Sequence, residues 1–172
     1  MDSHYIHSSF LEKVLEHIFV GECLRRLWRR GIRNAEVLRS EVDGSGYDVV
    51  IEARGITRYI QLKASFNGAK ASSQKVNAAL VEKRGGCVVW LGFDRDSLQL
   101  GPYRWFGADP SQRLDLRDLK KAKHTKGDST GKKKERANTF IIPGSRFERF
   151  QELDDLLERL FPSKPDQQPS AN

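Results

Sequence analysis

The beginning of the chain carries apolar side chains at the spacing of an α-helix. Ser8 and Ser9 can cap such a helix at its start, and Gly31 can end it. We therefore predict a helix over residues 10–30. Its apolar positions lie on one face as far as Gly21 and turn to another face beyond it. A helix that is apolar on more than one side is expected to pack centrally.

Beyond this helix the apolar period changes to that of β-strands. Residues 35–42 predict a short strand, and residues 47–52 and 56–63 predict two more. Arg54 and Gly55 lie between the last two and are typical of a tight hairpin turn. We therefore expect an antiparallel hairpin whose register is set by this turn.

The next segments alternate between helix and strand signals. Residues 68–84 predict a second helix that ends at Gly85, and the apolar run 87–91 predicts a central strand. A leading helix followed by the order β, β, β, α, β predicts an α/β domain around a small mixed sheet flanked by helices. We expect one domain over residues 8–161, with its core in residues 8–92.

The signal weakens towards the end of the chain. Residues 103–107 and 139–142 predict strands, the latter being the last one. Residues 120–136, rich in lysine and glycine, predict a mobile loop. Ser145 is expected to cap a C-terminal helix over residues 145–161. Residues 162–172, rich in Pro, Gln and Ser, predict a disordered tail.

Composition and charge narrow the classes of function. The 172 residues are 38% hydrophobic and 31% charged, with a net charge of +7, which favours an anionic partner such as nucleic acid. No apolar run approaches the ~18 residues of a membrane span, and the start of the chain lacks the pattern of a signal peptide. Cys23 and Cys87 have apolar neighbours, so we expect buried free thiols and a reducing, cytoplasmic location.

Most of the net positive charge is concentrated in one segment. Residues 120–136 hold eight lysine or arginine residues against Asp128 and Glu135. Such a segment favours contact with a phosphate backbone, although a solvated loop that aids solubility is the alternative. The candidate nucleic-acid-binding residues, with His124 as a further donor, are Lys120, Lys121, Lys123, His124, Lys126, Lys132, Lys133, Lys134 and Arg136.

The predicted hairpin brings three polar side chains together. Its register places Asp48 opposite Gln61, and Lys63 follows on the same face of the strand. Asp48, the Gln61 side-chain oxygen and the Leu62 carbonyl are hard oxygen ligands suited to Mg²⁺. Lys63 beside such an ion is positioned to hold or deprotonate an attacking water. The alternative is a solvated polar face of an edge hairpin.

A helix carries Glu, the first strand of the hairpin carries Asp48, and the second carries Gln61-Leu62-Lys63. This arrangement resembles that of the PD-(D/E)XK nuclease superfamily. The Gln-x-Lys form is similar to that of its modification-dependent restriction endonucleases. The resemblance covers about half of the chain. It implies a restriction-endonuclease-like three-layer core and an Mg²⁺- or Mn²⁺-dependent nuclease, with Asp48 as principal metal ligand, Gln61 as second ligand and Lys63 as catalytic lysine. Tyr47 stands where the family has Pro, and Gln61 replaces the second acid.

The resemblance also implies a glutamate on the first helix as a ligand. Glu16 heads an apolar stripe through Cys23 and Leu27, whereas Glu22 has arginines three and four residues later. We favour Glu16 and keep Glu22 open.

These expectations combine into a DNA endonuclease that hydrolyses phosphodiester bonds. A homodimer is a further expectation, since cutting both strands takes two sites. The rival is a nuclease-fold protein with little or no catalysis that binds nucleic acid or regulates a partner.

Overall fold

The structure, a computed structural model, describes residues 3–39, 43–123 and 135–163, except for the side chains of residues 3–7, 43 and 135–137. This described part contains two α-helices and nine β-strands. In chain order they are α1 (Ser3–Arg29), β1 (Glu36–Arg39), β2 (Val49–Ala53), β3 (Ile56–Phe66), β4 (Ser73–Asn77), β5 (Gly86–Phe93), β6 (Leu100–Gly107), β7 (Lys120–Lys123), β8 (Glu135–Pro143), β9 (Glu148–Phe150) and α2 (Leu153–Leu160).

Six strands form a mixed sheet in the order β1-β2-β3-β5-β6-β9, and three form a second sheet in the order β4-β8-β7. Neighbours in the larger sheet are antiparallel except β3 and β5, which are parallel. Parallel strands need a crossover, and here β4 and a 3-10 turn at Ala78–Glu82 provide it. The predicted α/β class with a mixed sheet is confirmed.

Both faces of the larger sheet are covered, because side chains alternate along each strand. Ile60 and Val89 lie on the face that packs against α1 and α2. Val88 and Trp90 lie on the opposite face, which packs against the smaller sheet. The described residues therefore form three layers, with both helices on one side of the larger sheet and the smaller sheet on the other. The more specific restriction-endonuclease-like core stays a prediction.

The first helix is confirmed, and it starts earlier than the apolar pattern indicates. Phe19, Cys23 and Leu27 recur every fourth residue and are at most 1% exposed against the larger sheet. Gly31 follows the helix with a φ of +79°, a left-handed conformation that glycine adopts at low cost. No helix among the described residues is long and apolar enough to cross a membrane.

The predicted hairpin is confirmed as β2 and β3. Ala53 pairs with Ile56 across a turn at Arg54 and Gly55. Both turn residues have positive φ angles, +55° and +71°, as the tightest hairpin turns require. The register is the one that the turn predicts.

The predicted second helix over residues 68–84 was wrong. The segment contains β4 and the 3-10 turn instead. Val76 and Leu80 are both fully buried, and their spacing of four residues imitates a helix. Pairing of β4 with β8, far along the chain, determines the strand.

The basic segment, residues 120–136, was predicted as a mobile loop, but both of its ends are β-strand. Its first residues form β7, which pairs with β8, and Glu135 and Arg136 belong to β8. Ala122 is fully buried while the lysines around it are exposed, so one small residue anchors the strand. Residues 124–134, also predicted as loop, lie outside the described residues.

The C-terminal helix starts later than predicted. Residues 144–150 form a 3-10 turn and β9, so β8 is not the last strand, and the helix begins at Leu153 rather than at Ser145. β9 pairs with the edge strand β6. The predicted tail lies outside the described residues from position 164 onward.

A buried arginine holds α2 on the sheet. Arg58 of β3 is fully buried and donates to the carbonyl oxygens of Leu160 at 2.7 Å, Arg159 at 3.3 Å and Ala108 at 2.8 Å. The first two carbonyls belong to the end of α2, where a cation is favourable for the helix dipole. Burial lowers the pKa of Arg58 from its ordinary value.

Candidate active site

A cleft of about 490 Å³ opens between α1 and the larger sheet, near the start of β2 and the second half of β3. It is lined by Ser9, Glu12, Lys13, Leu15, Glu16, Asp48, Leu62, Lys63, Ala64, Gln74 and Leu91. Four of the residues predicted for a metal-dependent site therefore meet here: Glu16, Asp48, Leu62 and Lys63.

Asp48 is held against β3 by two hydrogen bonds. Its backbone N–H donates to the Ile60 carbonyl at 2.9 Å, and its Oδ2 accepts from the Leu62 N–H at 2.6 Å. No described group donates to Oδ1. The carboxylate is thus fixed in orientation with one oxygen left for a ligand.

A glycine makes this approach possible. Gly46 has a φ of +77°, and a Cβ at this position would lie 2.7 Å from the backbone nitrogen of Leu80. Only glycine allows the chain to pass this close to the 3-10 turn and then deliver Asp48 to the cleft.

Glu16 reaches the cleft from α1. It is 6% exposed and accepts from Lys13 Nζ at 2.8 Å, and Arg39 Nε lies 3.7 Å from its Oε1. The carboxylate is buried with cations beside it, as a buried charge requires. Glu16 lies on the face of α1 that lines the cleft, whereas Glu22 does not line it.

The electrostatics of Asp48 favour a cation. Burial raises the pKa of the Asp48 carboxyl above its ordinary value, and the Glu16 carboxylate raises it further. The Leu62 N–H and the Lys63 ammonium act in the opposite direction. A bound cation near Asp48 and Glu16 would offset both the burial and the repulsion.

Gln61 does not join the other predicted residues. It is 9% exposed, and its Oε1 accepts from the Asn77 N–H of β4 at 3.2 Å. It shares a face with Lys63, as the register predicts, but β4 covers it and it does not line the cleft. The expected convergence of acid, amide and amine is therefore observed for Asp48 and Lys63 only, and a ligand role for Gln61 or the Leu62 carbonyl stays a prediction.

Glu22 lies in an ion-pair network between the two helices. It accepts from Arg25 at 2.7 Å and from Arg26 at 2.6 Å, and Arg26 also binds Asp154 of α2. Side-chain hydrogen bonds from these arginines lower the pKa of Glu22. The network explains this carboxylate without any ligand.

The predicted nucleic-acid-binding residues are only partly described. Lys120, Lys121 and Lys123 are exposed on β7 of the smaller sheet. His124, Lys126, Lys132, Lys133 and Lys134 lie outside the described residues, as does the side chain of Arg136.

Two carboxylates of this cleft could hold a metal ion. Among residues 3–39, 43–123 and 135–163, no group of three or more His, Cys, Asp or Glu side chains is arranged as a metal site. Asp48 and Glu16 nevertheless supply hard oxygen donors in one cleft. This set fits Mg²⁺, which commonly takes one or two carboxylates and completes its shell with water and substrate phosphate.

Seven of the lining residues of the cleft were not predicted as site residues, among them Lys13 and Gln74. Lys13 lies one helical turn before Glu16, a spacing that signals an ion pair. Gln74 lies in the segment 68–84 that was predicted as a helix, and its place in the cleft follows from β4, which the local pattern did not reveal.

A comparison with models of known protein families and with curated proteins gave no match for this chain.

Proposed function

We propose that this protein is a metal-dependent nuclease with a restriction-endonuclease-like core, which hydrolyses phosphodiester bonds in DNA. The observation that carries the proposal is the meeting of Asp48, Glu16 and Lys63 in one cleft. Two carboxylates and an ammonium group, brought together from a helix and two strands, form a set suited to phosphodiester hydrolysis.

The reaction adds water to phosphorus and breaks one P–O bond, leaving a phosphate monoester and a hydroxyl group. Asp48 and Glu16 would hold Mg²⁺ or Mn²⁺, which when bound stabilises the negative charge that develops on the phosphate. Lys63 Nζ donates a hydrogen bond that orients the attacking water, and its charge stabilises the same transition state. The Leu62 N–H keeps Asp48 oriented.

A second candidate is a protein of this fold that binds nucleic acid without cutting it. The observation in its favour is the Gln61 side chain, whose oxygen accepts from the Asn77 N–H and which does not line the cleft. Without Gln61 the site has one fewer oxygen ligand, which weakens metal affinity.

Cleavage of plasmid, linear duplex and single-stranded DNA, with Mg²⁺, Mn²⁺ or EDTA, tests the proposal. We expect metal-dependent cleavage by the parent and a loss of about 10²–10⁴-fold in Lys63→Met, the usual effect of removing a positioned proton-transfer group. Lys75→Met is the matched control, because Lys75 is an exposed lysine of β4 outside the cleft.

Cleavage by Lys63→Met at the parent rate would refute the role of Lys63. Metal-independent cleavage, or none on any substrate while DNA is still bound, would refute the nuclease and favour the second candidate.

A further inference from the structure

A row of side chains that includes three cations crosses the larger sheet and extends away from the candidate active site. Lys63 of β3 pairs in register with Trp90 of β5, Trp90 pairs with Arg104 of β6, and Arg104 pairs with Arg149 of β9. Residues paired in this way project to the same face of a sheet. The row therefore begins at the candidate catalytic lysine and runs across four adjacent strands.

The pairing of Arg104 with Arg149 calls for an explanation. Like charges directly opposite each other in neighbouring strands are destabilising. In the described part of the chain neither arginine has a carboxylate within ion-pair distance. The neighbouring Glu148 pairs instead with Arg159, at 3.1 Å. Two unneutralised arginines side by side are an arrangement that an anion would stabilise.

Arg104 is held in place by Trp90. Its guanidinium stacks 4.3 Å from the centre of the Trp90 ring, and Trp90 Nε1 donates to Ser65 Oγ at 2.8 Å. Trp90 is also packed edge-on against Phe147. Stacking occupies the flat face of the guanidinium and leaves its N–H donors at the edge free for a phosphate. Arg104, Trp90 and Ser65 line a small polar cavity of about 70 Å³ at this point.

We propose that Lys63, Arg104 and Arg149 form a phosphate track that binds the backbone of the nucleic-acid strand entering the cleft. Neighbouring strands lie about 4.8 Å apart, so the row from Lys63 to Arg149 is about 14 Å long. This length spans about four nucleotides at a rise of about 3.4 Å each. The inference takes its substrate class from the proposed function, but it concerns binding rather than cleavage.

The test measures the affinity of labelled single-stranded and duplex DNA by fluorescence anisotropy in EDTA over a series of salt concentrations. We expect Arg149→Gln to bind several-fold more weakly and to lower the slope of log K against log salt by about 0.9 on duplex DNA. The double variant with Arg104→Gln should lower the slope by about 1.8. Arg33→Gln is the matched control, because Arg33 stacks on Trp28 at 4.1 Å in a similar way but off the row.

Arg149 is exposed, so Arg149→Gln is expected to fold. This variant tests the phosphate track even if the loss of Arg104 disturbs β6. An unchanged slope in Arg149→Gln, an equal loss in Arg33→Gln, or a parent that binds neither DNA would overturn the track. A parent that binds through the track but does not cut would refute only the nuclease. A parent that cuts while both track variants bind as it does would refute only the track.

Discussion

Asp48 has two roles that substitutions can separate. It accepts the Leu62 N–H through Oδ2, which stabilises the fold, and in our proposal it binds the metal. Asp48→Ala removes both roles. Asp48→Asn has nearly the same shape, keeps an oxygen that can accept from Leu62, and removes only the charge.

The magnitudes follow from the environment of the carboxylate. An N–H left without an acceptor costs about 1–3 kcal/mol, and because Leu62 is only partly buried we expect the lower half of this range for Asp48→Ala. For a domain of this size 1 kcal/mol corresponds to about 2–4 °C in Tm. Asp48→Asn should unfold at or above the Tm of the parent in EDTA, because it removes a half-buried charge that the Glu16 carboxylate repels.

Metal adds the second half of the prediction. Ligand at about 100 times its Kd stabilises the parent by about 2.7 kcal/mol, or about 5–11 °C in Tm. Thermal unfolding followed by circular dichroism, in EDTA and in MgCl₂, should show this gain for the parent and no gain for either variant. A gain in Asp48→Asn equal to that of the parent would remove Asp48 from the metal site. If Asp48→Asn lowers the Tm in EDTA as much as Asp48→Ala does, the two roles of Asp48 are not separable and this reasoning is refuted.

Two further predictions concern pH and the core. Because the pKa of Asp48 is raised above its ordinary 3.8, its charge lowers the stability of the folded state at neutral pH, and this cost disappears as the pH falls through the folded-state pKa. The stability advantage of Asp48→Asn in EDTA should therefore be largest near neutral pH and be lost by about pH 3.8, and an advantage independent of pH would contradict this cause. Arg58→Met should lower the free energy of unfolding in urea by about 2–4 kcal/mol, because it leaves the carbonyl oxygens of Leu160 and Arg159 at the end of α2, and that of Ala108, without this donor. Arg84→Met, at an exposed arginine, is its control, and a loss below about 1 kcal/mol in Arg58→Met would show that the carbonyls find other partners.

Part of the candidate site was predictable because its determinants are local. The turn at Arg54 and Gly55 sets the register of β2 and β3, and the register places Asp48 beside the strand that carries Lys63. A hairpin of this kind depends on a few consecutive residues, so its geometry can be read from their types.

The contact of Gln61 with β4 could not be predicted from local sequence. Its position on the strand is the predicted one, but β4 lies over it and the Asn77 N–H binds its oxygen. β4 is a strand because it pairs with β8, more than sixty residues later in the chain. A local pattern in which Val76 and Leu80 are spaced as in a helix carries no information about that partner.

Which of Glu16 and Glu22 lies in the candidate site also depends on the tertiary structure. Both lie on α1, less than two turns apart, and each has basic neighbours in the sequence. Packing of α1 on the sheet brings Glu16 to the cleft, whereas packing against α2 places Glu22 beside Arg26, which binds Asp154.

The amino-acid sequence by itself determined the leading helix, the hairpin, the central strand and the pairing of Asp48 with the Gln61–Lys63 strand. These features depend on periodicity and turn chemistry over short stretches of chain. Only the tertiary structure decided which helix glutamate meets Asp48, that β4 covers Gln61, and that Lys63, Arg104 and Arg149 share one row. Each of these depends on strand order and helix packing between segments that are distant in the chain, where burial and long-range pairing outweigh local preference.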